Sequence, residues 1–150
     1  MRVDFYQLSR DPAEAVIPLL AANTLKAGER LLVVSGDEAQ RERISRALWA
    51  NKPESFMAHG AADDRYAARQ PILLAATVEA EAVQAANGAR YIALADGLWR
   101  DEALSGERVF LLFDTATIDA ARAVWRSLDG REDVTRNYWE QVGGKWQQRA

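Results

Sequence analysis

Cysteine is absent from the 150 residues. Disulfides and thiolate metal ligands are therefore excluded, and a chain of this length buries about 70% of its unfolded surface without such staples. Histidine occurs once, at His59. Without a second His or a Cys it makes a poor metal site, so no metal and no cofactor is expected. A nucleophile–base pair would need a serine placed beside it, and nothing in the sequence specifies one. His59 is expected to cap a loop rather than to catalyse. Basic excess is missing too: 19 Lys and Arg stand against 22 Asp and Glu, a net charge of −3. A protein built to grip a phosphate backbone usually carries a basic stripe. Tight direct DNA binding is not the leading expectation. No apolar run approaches about 18 residues, and no N-terminal apolar h-region is visible, so neither a membrane span nor a signal peptide is expected. A cytoplasmic location fits.

What is there reads as alternating strands and helices. Apolar, β-forming runs lie at residues 3–8, 31–34, 71–75, 91–94 and 108–113. The run Leu31-Leu32-Val33-Val34 does not alternate, the pattern of a strand covered on both faces in a parallel sheet. Between the strands, Asp11 reads as an N-cap with Pro12 at the first helical position, opening a helix to about Lys26. Pro18 lies inside that helix, and Gly28 ends it. A second helix spans Glu38–Ala50. Residues 51–70 form a long connection with Pro53, Gly60 and Asp63-Asp64-Arg65. A short Ala-rich helix is expected over 78–86, a helical or irregular piece over 98–104, and a last helix from a cap at Asp114 or Thr115 to Leu128. The final twenty residues, around Gly143-Gly144, read as an extended or turned segment packed on the body. The length implies one domain, 1–150. The alternation predicts an α/β fold with a mainly parallel central sheet of about five strands and helices on both faces. The topology is Rossmann-like but lacks a nucleotide site, because the turn Ser35-Gly36-Asp37 belongs to neither G-x-G-x-x-G nor G-x-x-x-x-G-K-[ST].

Helical periodicity marks two surfaces. With Ile44 at the centre of the second helix's buried face, Ala47, Leu48 and Gln40 fall within about 60° and Trp49 about 140° away. An indole on the outer face, followed by Pro53 and Phe56, describes a surface for a partner; the competing reading folds Trp49 under the next loop. On the last helix, with Val124 at the centre, Thr117, Ala120, Ala121 and Leu128 lie within about 60°. Trp125 then falls about 100° off, Ile118 about 120°, and Arg122 and Arg126 about 160°. Two guanidiniums beside an indole and an isoleucine suit an acidic peptide with a large apolar residue. The alternative is a solvated face with Arg stems lying over Trp125.

A family resemblance runs along nearly the whole chain. It is carried by Val3-Asp4-Phe5-Tyr6, by Lys26-Ala27-Gly28-Glu29-Arg30-Leu31, by Ala47-Leu48-Trp49 with Pro53-Glu54-Ser55-Phe56 and His59-Gly60, and by Tyr138-Trp139 with Gly143-Gly144-Lys145-Trp146. In order and spacing these resemble the chi subunit of bacterial DNA polymerase III holoenzyme. The resemblance implies a clamp-loader-associated accessory subunit without an active site. It implies that Arg122, Trp125 and Arg126, with Leu111 at the apolar edge, receive the acidic, Phe-ended C-terminal tail of single-stranded-DNA-binding protein. Ile118 stands where the family pattern has a basic residue, one charge fewer for the tail. It also implies that Trp49, Pro53 and Phe56 meet a psi-like clamp-loader subunit or a helicase, with DNA touched only indirectly.

Two rival functions are open to the sequence. One is a small nucleotide-binding α/β enzyme using Ser35-Gly36-Asp37 at a strand's carboxyl end. The other is a direct nucleic-acid binder using Arg100, Arg108, Arg131, Arg136 and the aromatic C-terminal segment.

Overall fold

The computed structural model describes residues 1–50, 59–61, 70–78, 87–142 and 145–150. Eight strands form one sheet in the order β3-β4-β2-β5-β6-β1-β7-β8. They are β1 Arg2–Gln7, β2 Leu31–Val34, β3 His59–Ala61, β4 Ile72–Ala75, β5 Tyr91–Leu94, β6 Arg108–Phe113, β7 Thr135–Val142 and β8 Lys145–Gln148. All pairings are parallel except β7 with β8. The mainly parallel α/β sheet is as the sequence implies, with three more strands than the five its apolar runs mark. β3 carries no β-branched residue, and β7 and β8 are too polar to register as buried runs.

Among the described residues the helices are α1 Ala13–Lys26, α2 Glu38–Ala50 and α3 Ile118–Ser127, with a 3-10 helix at Asp101–Ser105. Residues 79–86 of the expected helix over 78–86 lie outside the described residues, as do Pro53, Phe56, Asp63, Asp64 and Gly143-Gly144. Alternation along the strands sorts two cores. Tyr6, Phe110 and Leu112 face α1 and α2, meeting Ile17, Leu20, Ile44 and Leu48. Phe5, Leu111 and Phe113 face α3 and the 3-10 helix, meeting Ala103, Ala121 and Leu128. Trp139 and Trp146 belong at the edge of the first core: Trp139 stacks on Tyr6 at 6.2 Å, and Trp146 meets it edge-on at 5.1 Å.

α1 opens one residue later than its sequence signature implies. Pro12, not Asp11, is the N-cap, and no side chain caps it. The Asp11 carboxylate is taken instead by the Gln141 side-chain amide at 2.7 Å. Gln141 is buried, and its carbonyl oxygens also accept from the Arg10 and Asp11 amides and from Ser9 Oγ. One residue of β7 thus serves Ser9, Arg10 and Asp11 of the β1–α1 turn. Lower in the sheet, Asp4 is fully buried on β1. A lone buried carboxylate is costly, and Asp4 is compensated three ways: by Arg108 at 2.8 Å, Arg2 at 3.2 Å and the Trp139 indole N–H at 3.1 Å. Both clusters fasten β7 to β1.

Asp96 braces the carboxyl ends of the strands. It accepts from the Gly36 amide at 2.9 Å, from the Leu98 amide at 3.2 Å, and twice from Arg100 at 2.9 Å. Burial pushes its carboxyl up, but the Arg100, Gly36 and Leu98 hydrogen bonds outweigh this and hold it below the usual carboxylate range. The folded form thus binds this proton more weakly than the unfolded chain. Ionised Asp96 stabilises the fold above about pH 4, and that contribution is lost as pH falls below it. Chemical denaturation across acid pH is expected to show a shallower loss of stability below about pH 4 in Asp96→Asn than in the parent; parallel curves would contradict the brace. Next to it, Gly97 has φ +76°, and a Cβ there would lie 2.6 Å from Thr117 Oγ1. Gly97→Ala is expected to cost about 2 kcal/mol or more, from the left-handed backbone and the clash. Calorimetry should find its Tm lower by roughly 5 °C or more; an unchanged Tm would mean that the turn tolerates a side chain.

Candidate functional site

Helix α3 turns a different face inward than its apolar spacing implies. Ala121 and Leu128 are buried, Ile118, Val124 and Trp125 pack at the core's edge, and Ala120 is exposed. The inward face is therefore centred near Ala121, which leaves Trp125 about 40° from it and Arg122 and Arg126 about 100° and 140° away. Burying indole area against Phe5 outweighs burying the single methyl of Ala120. Trp125 is half-buried: Phe5 meets it edge-on at 5.1 Å and Tyr138 of β7 at 5.9 Å. Leu111 is fully buried and paired in register with Phe5, so it lies in the floor of this site and not at its surface.

The cations around the indole differ in what holds them. Arg122 is 59% exposed, and its one carboxylate neighbour is Asp119 at 3.8 Å, itself almost fully exposed. Arg126 is exposed, and its side chain makes no hydrogen bond or ion pair among the described residues. Exposed pairs of this kind contribute about 0–1 kcal/mol, so both guanidiniums are available. The Tyr138 hydroxyl donates to Gln7 Oε1 and stands beside Arg122. Burial pushes its pKa up, with the Arg122 charge working the other way. Ile118, Arg122, Trp125 and Arg126 thus share one side of α3, with Tyr138 and Arg136 brought up from β7. Those two were not singled out from the sequence as belonging here. Their spacing of two puts them on one face of a strand, but only the parallel pairing of β7 with β1 places that face beside α3.

On the other side of the sheet, Trp49 is 56% exposed at the end of α2. Its indole meets the His59 ring edge-on at 5.1 Å, and His59 Nε2 lies 2.9 Å from Ser45 Oγ. His59 therefore sits on the edge strand β3, not in a loop. Ser45 lies mid-helix, with its hydroxyl within hydrogen-bond distance of the His59 ring.

The turn Ser35-Gly36-Asp37 is already satisfied from within. The Gly36 amide donates to Asp96, the Asp37 amide to Ser35 Oγ, and the Ala39 amide to Asp37 Oδ1. A phosphate would need those N–H groups and would meet the Asp96 carboxylate in their place. A crevice of about 450 Å³ does lie at the carboxyl ends of β1, β5 and β6, where such sheets bind ligands. Its charged lining is Asp11, Glu14, Asp96 and Asp114 with Arg10 and Arg43, so carboxylates outnumber guanidiniums. The proposed nucleic-acid arginines are engaged as well: Arg100 with Asp96, Arg108 with Asp4, Arg131 with Asp133, and Arg136 with Asp129.

Comparison with known proteins agrees with the resemblance read from the motifs. Residues 1–134 match the family described as DNA polymerase III chi subunit, HolC. DNA polymerase III subunit chi of Escherichia coli is 32% identical over 78 residues, which take in 47% of this chain and 53% of that protein. The chain thus spans about half the length of the curated relative it matches. With the family matched over residues 1–134, the chain belongs to the DNA polymerase III chi subunit family.

Proposed function

We propose that this chain is a non-catalytic adapter in DNA replication, holding two polypeptide partners at once. The α3–β7 face takes the acidic, Phe-ended C-terminal tail of single-stranded-DNA-binding protein. The Trp49 face takes a psi-like clamp-loader subunit or a helicase, a role that the family resemblance also gives to Pro53 and Phe56. DNA is engaged only through the tail, and the adapter works in the cytoplasm.

One observation carries the reading: Arg122 and Arg126 are exposed and almost unpaired beside a half-buried indole. Many of the other described arginines sit in ion pairs, such as Arg100 with Asp96 and Arg108 with Asp4; here two stand open next to apolar surface. A carboxylate-rich tail meets the guanidiniums, and its terminal Phe meets Trp125 and Ile118. Charge-assisted contacts to Arg supply direction, and the aromatic contact supplies desolvated area. Two modest contacts on one scaffold raise effective concentration and strengthen an assembly without further sites.

The test is titration of a fluorescent acidic, Phe-ended peptide into the parent and into Arg122→Ala/Arg126→Ala. Loss of two charge-assisted contacts is expected to weaken binding roughly tenfold or more. Added salt is expected to weaken the parent and to affect the double variant less. Equal affinity in both proteins would remove the site.

A further inference from the structure

Arg136 of β7 is engaged in three ways at once. Its Cζ lies 4.3 Å from the centroid of the Trp125 indole. One guanidinium nitrogen donates to the Trp125 carbonyl, and the other donates to Asp129 Oδ1 at 3.0 Å. Its side chain is only 21% exposed, against 59% for Arg122. Phe5 and Tyr138 meet the same indole edge-on. The ring is therefore gripped by two aromatics and by one guanidinium laid against it, which is tied at the same time to the helix backbone that carries the indole.

Building on the proposed tail-binding role, we infer that Arg136 is a positioning residue for that site: it fixes the orientation of Trp125 from β7 and does not itself meet the ligand's carboxylates. Its charge is already taken by Asp129, whereas Arg122 has only a distant exposed neighbour and Arg126 none among the described residues. The plane and fork of a guanidinium are what the arrangement uses; an ammonium can neither stack flat nor bond the carbonyl and the carboxylate together. An indole already held in place loses less freedom when a ligand arrives. The residue thus strengthens binding through Trp125, and the available charge is left to α3.

Two variants of the full chain test this. Arg136→Lys keeps the charge and removes the planar fork that bonds the Trp125 carbonyl and Asp129 together. Arg136→Gln with Asp129→Asn removes both partners and leaves the net charge unchanged. Two quantities are read: the affinity for the labelled acidic peptide across a salt series, and the indole N–H resonance of Trp125 in the free protein, assigned with Trp125→Phe. Both variants are expected to bind roughly twofold to thirtyfold more weakly, the range of a cation–π contact. The dependence on salt is expected to stay that of the parent. The Trp125 resonance is expected to shift and broaden before peptide is added. A Lys variant that binds like the parent overturns the inference, because charge alone would then suffice. So does a paired variant whose salt dependence weakens as it would for a direct carboxylate contact, and so does an unmoved indole resonance. If the parent binds no peptide, the tail site itself is lost, and the indole resonance still decides whether Arg136 holds Trp125.

Discussion

The parallel pairing of β7 with β1 is the constraint on which the rest depends. It sets Tyr138 opposite Phe5 and Trp139 opposite Tyr6, while β6 places Leu111 and Leu112 on their other side. A slip of one residue would turn every side chain of β7 to the other face. Tyr138 would then leave Trp125, and Trp139 would leave Tyr6. Two polar clusters hold the register at either end: Asp4 with Arg2, Arg108 and Trp139, and Gln141 with the β1–α1 turn. A polar cluster satisfied only in one alignment specifies that alignment more sharply than apolar area does.

Electrostatics divides the molecule in a way that net charge does not reveal. The carboxyl ends of β1, β5 and β6, where Rossmann-like sheets receive phosphates, carry four carboxylates. There the loop amides are spent on Asp96 and Asp37. The backbone donors that a phosphate would need there are taken by the chain's own side chains. Positive charge stands beside apolar surface at the flank of α3, where Arg122 and Arg126 border an aromatic cluster. A chain of net charge −3 can thus present a local site suited to an acidic partner.

Much of the fold was legible because parallel strands buried on both faces write themselves as unbroken apolar runs, and Leu31–Val34 and Ile72–Ala75 do so. The three further strands were not, because β3 is short and carries a glycine, and β7 and β8 are only half covered and so mix polar with apolar residues. The outward placement of Trp49 followed from helical spacing alone, since Ile44 and Leu48 fix the buried face of α2. The same reasoning misjudged α3. It centred the face on Val124, whereas the bulk of Trp125 and its fit against Phe5 turn the helix toward Ala121. Arg136 and Tyr138 could not be placed beside α3 from local pattern, because their neighbours are set by a strand pairing more than 130 residues distant in sequence from β1. What the sequence does carry is their chemistry and their spacing.

The most direct measurement is chemical-shift mapping of the full chain, isotopically labelled and titrated with an acidic, Phe-ended peptide. The account predicts that the largest changes fall on Ile118, Arg122, Trp125 and Arg126 of α3 and on Tyr138 of β7, with the Trp49 surface and the Asp96 crevice unmoved. Changes centred on Ser35, Gly36 and Asp96, or no change along α3, would contradict it.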